Sequence, residues 1–253
     1  MVQQSNLYII TFTVLMTIFF GTLLSLTRMT LEPRQKKQEE IDTKKKILGA
    51  VVNVSEYDPE EILSIYNERM ESIVINYENE IVENDSKGNK IIAENINIQK
   101  NYKLDPKERM YPVFMYKNVE SGDTEAYIFP MFGNGLWDWI SAYVALEKDL
   151  NTVLGVSFDH KIETPGLGAR ISSNEIQDRY KKKKIFDDAN NFISVTMLKG
   201  ENNQGINVHQ VDGMSGATIT GNGVNKMFFH YFECYSSFIE ENKLNQSIKI
   251  SKN

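Results

Sequence analysis

The hydrophobic pattern of the chain begins with an almost unbroken apolar run from Leu7 to Leu26, and no residue before Arg28 is charged. About twenty helical residues span about 30 Å, which is the thickness of the hydrocarbon core of a bilayer. A cleaved signal peptide has a shorter apolar region and a basic start, and this run has neither. The pattern predicts an uncleaved transmembrane helix at residues 7–27, after a short tail at residues 1–6.

A charged segment with sparse apolar positions follows the apolar run. We interpret residues 28–56 as a juxtamembrane helix or linker and residues 57–253 as a soluble domain. Seven basic and four acidic residues lie between Arg28 and Lys46, which gives this flank a charge of +3. By the positive-inside rule, this flank favours a cytoplasmic location for the soluble domain.

Helical and strand-like periodicities alternate in the soluble domain without a regular βαβ rhythm. Asp58–Glu61 supplies a cap, a proline and two acidic residues, which predicts a helix that ends near Met70. Apolar residues at three- and four-residue steps predict a last helix over Asn222–Asn242. Strand-like stretches lie at Ser72–Val82, Ile91–Ile98, Tyr111–Lys117, Ala126–Phe132, Thr152–Phe158 and Phe192–Leu198. This mixture predicts an α+β fold after the transmembrane helix.

The composition is that of a globular protein, with 41% hydrophobic and 25% charged residues among 253. A net charge of −6 argues against nucleic acid as a partner. The single cysteine, Cys234, excludes an intrachain disulfide and a cysteine metal cluster in this sequence.

Patterns for familiar catalytic and metal sites are weak. Asp159, His160 and Glu163 could hold a metal, but we favour a structural role for His160. Ser215 does not lie in a nucleophile elbow, because Ala217 stands where the second glycine is required. The sequence has no G-x(4)-G-K-[ST] phosphate-binding loop. We therefore predict neither a catalytic residue nor a metal ligand.

Three segments that contain glycine remain as candidates for a binding site, at residues 133–138, 163–168 and 212–218. Taken alone, the third segment predicts a turn that caps a helix, although a helix N-terminus also suits an anion such as a phosphate. If the three segments converge, they form a pocket for a planar cofactor with a phosphate tail. The residues of that pocket are an apolar wall of Leu136, Trp137 and Leu167 and a hydroxyl rim of Thr164, Ser215 and Thr218.

Together these features resemble a known family, the C subunits of the Na+-translocating NADH:quinone reductases. The resemblance rests on Asp212–Thr218, which matches the flavinylation motif D-x-x-S-G-A-T, and on Gly135–Trp137 and Glu163–Gly168, which match two other signatures. It covers most of the chain, from the single anchor to the last helix. The G subunit of the related Rnf ferredoxin:NAD+ complexes is similar, but less closely.

The resemblance implies an FMN-binding domain with mixed α and β structure. In that family FMN is joined by a phosphoester to the last threonine of the motif, here Thr218, by a separate Mg2+-dependent flavin transferase. The resemblance also implies that Asp212 is read by the transferase or holds the loop. The other implied cofactor-binding residues are Ser215, Gly216 and Ala217 beside Thr218, Leu136, Trp137, Thr164 and Leu167 along the flavin ring, and Lys199 as a charge near the flavin.

The implied function is the relay of single electrons from NADH toward ubiquinone or menaquinone, coupled to Na+ export. Such a chain works with other subunits in the bacterial inner membrane, and the family places this domain on the periplasmic side. The charge of +3 at residues 28–46 favours the cytoplasmic side instead, and we follow the resemblance. Two alternatives stay open: an Rnf-type subunit, and a membrane-tethered binding or scaffold protein without a redox role.

Overall fold

The computed structural model describes residues 5–251 and begins with one continuous helix, α1 (Asn6–Leu48). Among the described residues, α1 is the one helix that is long and apolar enough to cross a membrane. No break in α1 separates the predicted span at residues 7–27 from the predicted juxtamembrane segment. The chain divides between Thr43 and Lys44 into two compact units, so the last residues of α1 belong to the second unit.

The second unit is built on a five-stranded antiparallel sheet in which the strands lie in chain order. The strands are β1 (Met70–Ile75), β2 (Tyr111–Lys117), β3 (Thr124–Asn134), β4 (Trp139–Glu147) and β5 (Val153–His160). The pairing of β3 with β4 runs as far as Asn134 opposite Trp139, so residues 135–138 form the turn of a hairpin. A small parallel pair, β6 (Thr196–Met197) with β7 (Gln210–Val211), lies apart from this sheet.

The described part of this unit also contains five further α-helices. They are α2 (Pro59–Arg69), α3 (Ile98–Tyr102), α4 (Asn174–Asp178), α5 (Thr218–Cys234) and α6 (Ser236–Ser251). The predicted start of α2 is confirmed, because Asp58 and Glu61 form a reciprocal capping box. The mixed α+β fold class predicted from the sequence is also confirmed.

Each face of the sheet carries its own hydrophobic core. Alternate residues of β3 point to opposite faces, so Phe129 packs against α5 and α6, whereas Ile128 faces the other core. That second core also contains Ile47 and Leu48 from the end of α1 and Ile62 from α2. A strand that is buried on both faces lacks polar alternation, which explains the nearly continuous apolar sequence of β3.

Several local predictions differ from the structure. Strand β1 ends at Ile75 because the side chain of Asn76 accepts the N–H of Glu80 and closes a turn, so no strand extends to Val82. The segment predicted as a strand at 91–98 contains a short 3-10 helix at Ala93–Asn95. Of the strand predicted over Phe192–Leu198, only β6 forms.

The last predicted helix also differs, at both ends. Helix α5 begins at Thr218, four residues before the predicted start at Asn222. It ends at Cys234 because Tyr235 turns into the core, where its hydroxyl donates to the carbonyl of Pro112 at 2.8 Å. A separate helix, α6, then continues the chain.

Candidate functional site

Residues Asp212–Thr218 lead directly into the N-terminus of α5, and Thr218 is its first helical residue. Ala217 occupies the cap position and has no side-chain oxygen, and no side chain among the described residues caps this helix. The N–H groups of a first helical turn have no partner inside the helix, and the helix dipole adds positive potential there. The segment therefore presents a half-buried threonine hydroxyl beside donors that suit a phosphate.

Two glycines in this segment are required by its geometry. A side chain at Gly213 would collide with the backbone carbonyl oxygens of Leu198 and Gly200. Gly216 has a φ of +72° and approaches Leu167, whose Cδ2 atom would lie 2.8 Å from an added Cβ. The first contact holds the segment against residues 198–200, and the second joins it to the loop at 163–168.

The carboxylate of Glu163 joins two of the glycine segments to the first turn of α5, into which the third segment leads. Its Oε1 atom accepts the backbone N–H groups of Leu136 at 2.8 Å and Trp137 at 3.0 Å. Its Oε2 atom accepts the hydroxyl of Thr220 at 2.6 Å. The Glu163 side chain is 3% exposed, and side chains at Gly135 or Gly168 would collide with it. The three segments, which are far apart in sequence, therefore converge at one place in the structure.

The apolar residues of the predicted wall lie at the surface beside this junction. Leu136 is 44% exposed, Trp137 64% and Leu167 41%. The indole Nε1 of Trp137 donates to the hydroxyl of Thr164 at 3.1 Å, which joins the two side chains. Neighbouring exposed apolar side chains of this size are typical of a binding surface.

The hydroxyl groups near the start of α5 differ in environment. Ser215 is exposed, and Thr218 is half-buried with no hydrogen bond to its hydroxyl from any described residue. Thr220 is 1% exposed, and its hydroxyl is taken up by Glu163. Of the two threonines in the first turn of α5, only Thr218 thus has an accessible and uncommitted oxygen.

Asp212 fixes the start of the motif by binding neighbouring backbone. Its carboxylate accepts the N–H groups of Asn202 at 2.8 Å and Asn203 at 3.0 Å. Burial alone raises the pKa of Asp212, but the hydrogen bonds from Asn203 and Asn202 and the charge of Arg179 lower it below its ordinary value. The structure therefore supports the interpretation that Asp212 holds the loop.

A cluster of charged residues that the sequence does not predict surrounds the same segment. Arg179 donates to the backbone carbonyls of Asp212 and Gly213. Glu201 binds Arg170 at 2.6 Å and Arg179 at 3.1 Å, and accepts the N–H of Ser215 at 3.3 Å. The hydrogen bond from Arg170, followed by that from Arg179, lowers the pKa of Glu201 to about 2. No local sequence pattern identifies these residues, because folding brings them together from separate loops.

Lys199 and Glu163 are the two residues where prediction and geometry diverge most. Lys199 is exposed, and among residues 5–251 its ammonium has no hydrogen-bond partner, although its carbonyl accepts the side chain of Asn203 at 3.1 Å. The sequence indicates Glu163 only as a weak metal ligand, yet it is the buried centre of the junction. In the sequence, the feature that could have identified Glu163 is its position in a loop rich in proline and glycine.

The residues present fit a flavin mononucleotide by their chemistry. An uncapped helix N-terminus with a free hydroxyl suits the phosphate. The exposed Leu136, Trp137 and Leu167 offer a flat apolar surface for a tricyclic ring.

Comparison with known proteins agrees with this fit. A protein-family model described as an FMN-binding domain matches residues 135–231, a range that includes every residue predicted for the site. The C subunit of the Na+-translocating NADH-quinone reductase of Haemophilus ducreyi is 30% identical over 232 residues, which cover 88% of each chain. The C subunit from Vibrio anguillarum is 43% identical over 111 residues, or 44% of this chain and 43% of that one.

Two solved structures have the same fold. The structure of the C subunit from Parabacteroides distasonis is 34% identical with a TM-score of 0.69, and the match covers 83% of this chain and 96% of that one. NqrC of Shewanella oneidensis is 26% identical with a TM-score of 0.68, covering 82% and 99%. On the identity and coverage shared with these relatives, the chain belongs to the family of C subunits of the Na+-translocating NADH-quinone reductases.

Proposed function

We propose that this chain is the covalent-FMN electron-transfer subunit of a Na+-translocating NADH:quinone oxidoreductase, with FMN joined by a phosphoester to the hydroxyl oxygen of Thr218. The observation that carries the proposal is the convergence of the three glycine segments on Glu163, which sets an apolar wall beside an uncapped helix N-terminus. The family supports FMN as the cofactor.

The environment of each hydroxyl favours Thr218 as the attachment site. The Thr220 hydroxyl is buried and donates to Glu163, so its modification would break the junction. Ser215 lies three residues before the helix, away from the N–H groups of the first turn. A phosphoester on Thr218 keeps its negative charge where the helix dipole stabilises it, by about 0.3–1 kcal/mol at an exposed position.

Attachment needs a base from another protein. Among the described residues, no histidine or carboxylate bonds the Thr218 hydroxyl, which is a weak nucleophile at its own pKa. A Mg2+-dependent flavin transferase supplies the missing chemistry. The bond between the Thr218 oxygen and the FMN phosphorus forms as the pyrophosphate bond of FAD breaks, AMP leaves, and a transferase base takes the hydroxyl proton.

The residues of this chain then position the cofactor and shape its surroundings. FMN supplies one-electron transfer when bound, and the protein sets its orientation and its electrostatic environment. Leu136, Trp137 and Leu167 would hold the flat ring, and the indole of Trp137 donates to the hydroxyl of Thr164 beside them. Lys199 is within the family-matched range and remains a candidate for a cation near the ring.

The chain relays electrons from NADH toward ubiquinone or menaquinone, in a complex whose other subunits carry Na+ across the bacterial inner membrane. Helix α1 anchors it in the bilayer, and its soluble domain lies on the periplasmic side. The relatives support the quinone reductase over the Rnf-type complex.

Flavin fluorescence in a denaturing gel tests the central claim. The full chain, co-expressed with the transferase, is expected to give a fluorescent band, and peptide mass analysis should place the FMN on Thr218. Thr218→Ala should lose the fluorescence while the protein stays folded, and Ser215→Ala should keep it. A dark wild-type band would contradict the proposal and favour a membrane-tethered scaffold without a redox role.

A further inference from the structure

Glu163 is a buried carboxylate that has no cationic partner in the part of the chain that the structure describes. Its three contacts are the two backbone N–H groups at 136 and 137 and the Thr220 hydroxyl, all of which donate to it. Among the described residues, His160 makes no hydrogen bond to this carboxylate, and its Nδ1 atom accepts the backbone N–H of Glu163 at 3.3 Å.

Burying a negative charge costs free energy, and the structural role of Glu163 does not by itself explain why the residue is charged. A buried ion loses its hydration, and neutral donors compensate it only partly. A glutamine of the same shape could join the three segments nearly as well, since its oxygen can accept the two N–H groups and the Thr220 hydroxyl can accept from its NH2. The negative charge itself is therefore a feature that the loop junction does not require.

The charge is hydrogen-bonded to the backbone that carries the apolar wall. The N–H groups that bind Glu163 belong to Leu136 and Trp137, whose side chains form most of that wall. In a buried setting, a charge is poorly screened by solvent and acts on groups packed nearby. Adding electrons to a ring on this wall brings negative charge toward a fixed negative charge.

We propose that Glu163 sets the reduction potential of the flavin, its negative charge making the cofactor harder to reduce. This inference rests on the proposed function, because it needs FMN at Thr218. Glu163 acts as a positioning residue through its hydrogen bonds and as an electrostatic one through its charge. Two unit charges on the order of 10 Å apart, at an effective dielectric constant of about 20, shift an equilibrium by roughly tenfold.

The test is the midpoint potential of the flavinylated full chain in detergent, measured by spectroelectrochemistry at fixed pH. Glu163→Gln should make the potential more positive, by about 30 mV for a tenfold shift in a two-electron reduction. Asp159→Asn is the matched control, because Asp159 lies four residues earlier, is partly exposed and is paired with Lys46 at 2.6 Å. The control should leave the potential near that of the wild type.

Further readouts separate the possible results. Flavin fluorescence in a denaturing gel and the thermal unfolding temperature report on attachment and folding. If Glu163→Gln does not fold in plain buffer, the potentials of the wild type and both variants are measured in sucrose, which stabilises folded chains. A neutral variant that carries flavin at the wild-type potential overturns the inference but leaves the proposed function intact. A wild-type chain without flavin at Thr218 overturns both.

Discussion

The hydroxyl of Thr220 donates to Glu163 at 2.6 Å, two residues after a threonine whose own hydroxyl is without a hydrogen bond among the described residues. This bond gives two chemically equal threonines different roles, since Thr220 is structural whereas the hydroxyl of Thr218 remains available for reaction. It also connects the first turn of α5 to the loops at 133–138 and 163–168.

Thr220→Val should destabilise the domain while leaving Thr218 available for modification. The substitution keeps the shape but removes one of three donors to a buried carboxylate, which costs about 1–3 kcal/mol. Denaturant unfolding of the full chain in detergent measures the loss. Thr218→Val is the matched change on a half-buried, uncommitted hydroxyl and should cost less. Equal stability of the two variants would contradict the assigned role of Thr220.

Gly213→Ala should displace the motif and reduce flavin attachment. The added methyl group overlaps the carbonyl oxygens of Leu198 and Gly200, and backbone cannot yield as a flexible side chain does. We expect a destabilisation of about 1–3 kcal/mol, as for other overpacked sites. Gly205→Ala is the control, because Gly205 has a φ of +70° but open space around it. The control should lose some stability yet keep its flavin fluorescence, and a fluorescent Gly213→Ala band would count against the close approach.

Arg179→Met should slow the attachment of flavin more than it lowers stability. Arg179 donates to the carbonyls of Asp212 and Gly213, so its loss frees the start of the motif without opening the core. The rate of fluorescence gain in a purified transferase assay measures the effect, which we expect to be several-fold. Lys181→Met is the matched control, since Lys181 is exposed and pairs with Asp178. Identical rates for the two variants would show that the motif needs no such support.

His230 should make the domain less stable in mild acid. Burial, followed by the positive charge of Arg109, lowers the pKa of His230 below 6.5. The unfolded chain then takes up a proton at a higher pH than the folded chain does, so stability falls as the pH drops from about 6.5 toward the folded pKa. His230→Gln keeps an acceptor for Arg109, whose Nη1 lies 2.8 Å from the ring Nε2 atom.

Thermal unfolding of the full chain between about pH 7.5 and about pH 5 checks this dependence. The wild type should lose unfolding temperature across the window, and His230→Gln should show a shallower slope. Parallel slopes for the two proteins would assign the pH dependence to other groups.

The sequence is most informative where a feature depends on neighbouring residues. The capping box of Asp58 and Glu61, strand β2 and the apolar run of α1 are local patterns, and the structure has them close to the predicted bounds. Strand β4 escapes prediction because its two faces contact different cores, so Trp139–Glu147 shows no clear alternation of polar and apolar residues.

The glycine segments of the candidate site can be predicted from the sequence, but the contacts that join these segments cannot. Glycine-rich loops are visible locally, but the bonds from Glu163 to Leu136 and Thr220 depend on how three loops fold together. Arg179 and Glu201 are likewise separated in sequence and meet only around the folded motif. Tertiary contacts of this kind leave no periodic trace in a single sequence.

Ile47 and Leu48 lie in the last turn of α1 and are fully buried in the second core. The C-terminal end of α1 at Leu48 is therefore the wrong place to truncate the chain when a soluble fragment is prepared. A fragment that begins at Gly49 lacks two core side chains, each of which contributes about 2–5 kcal/mol, against a total stability of about 5–15 kcal/mol for a typical domain. A fragment that begins at Lys44 keeps both, so the domain can be freed of its anchor only by taking the end of that helix with it.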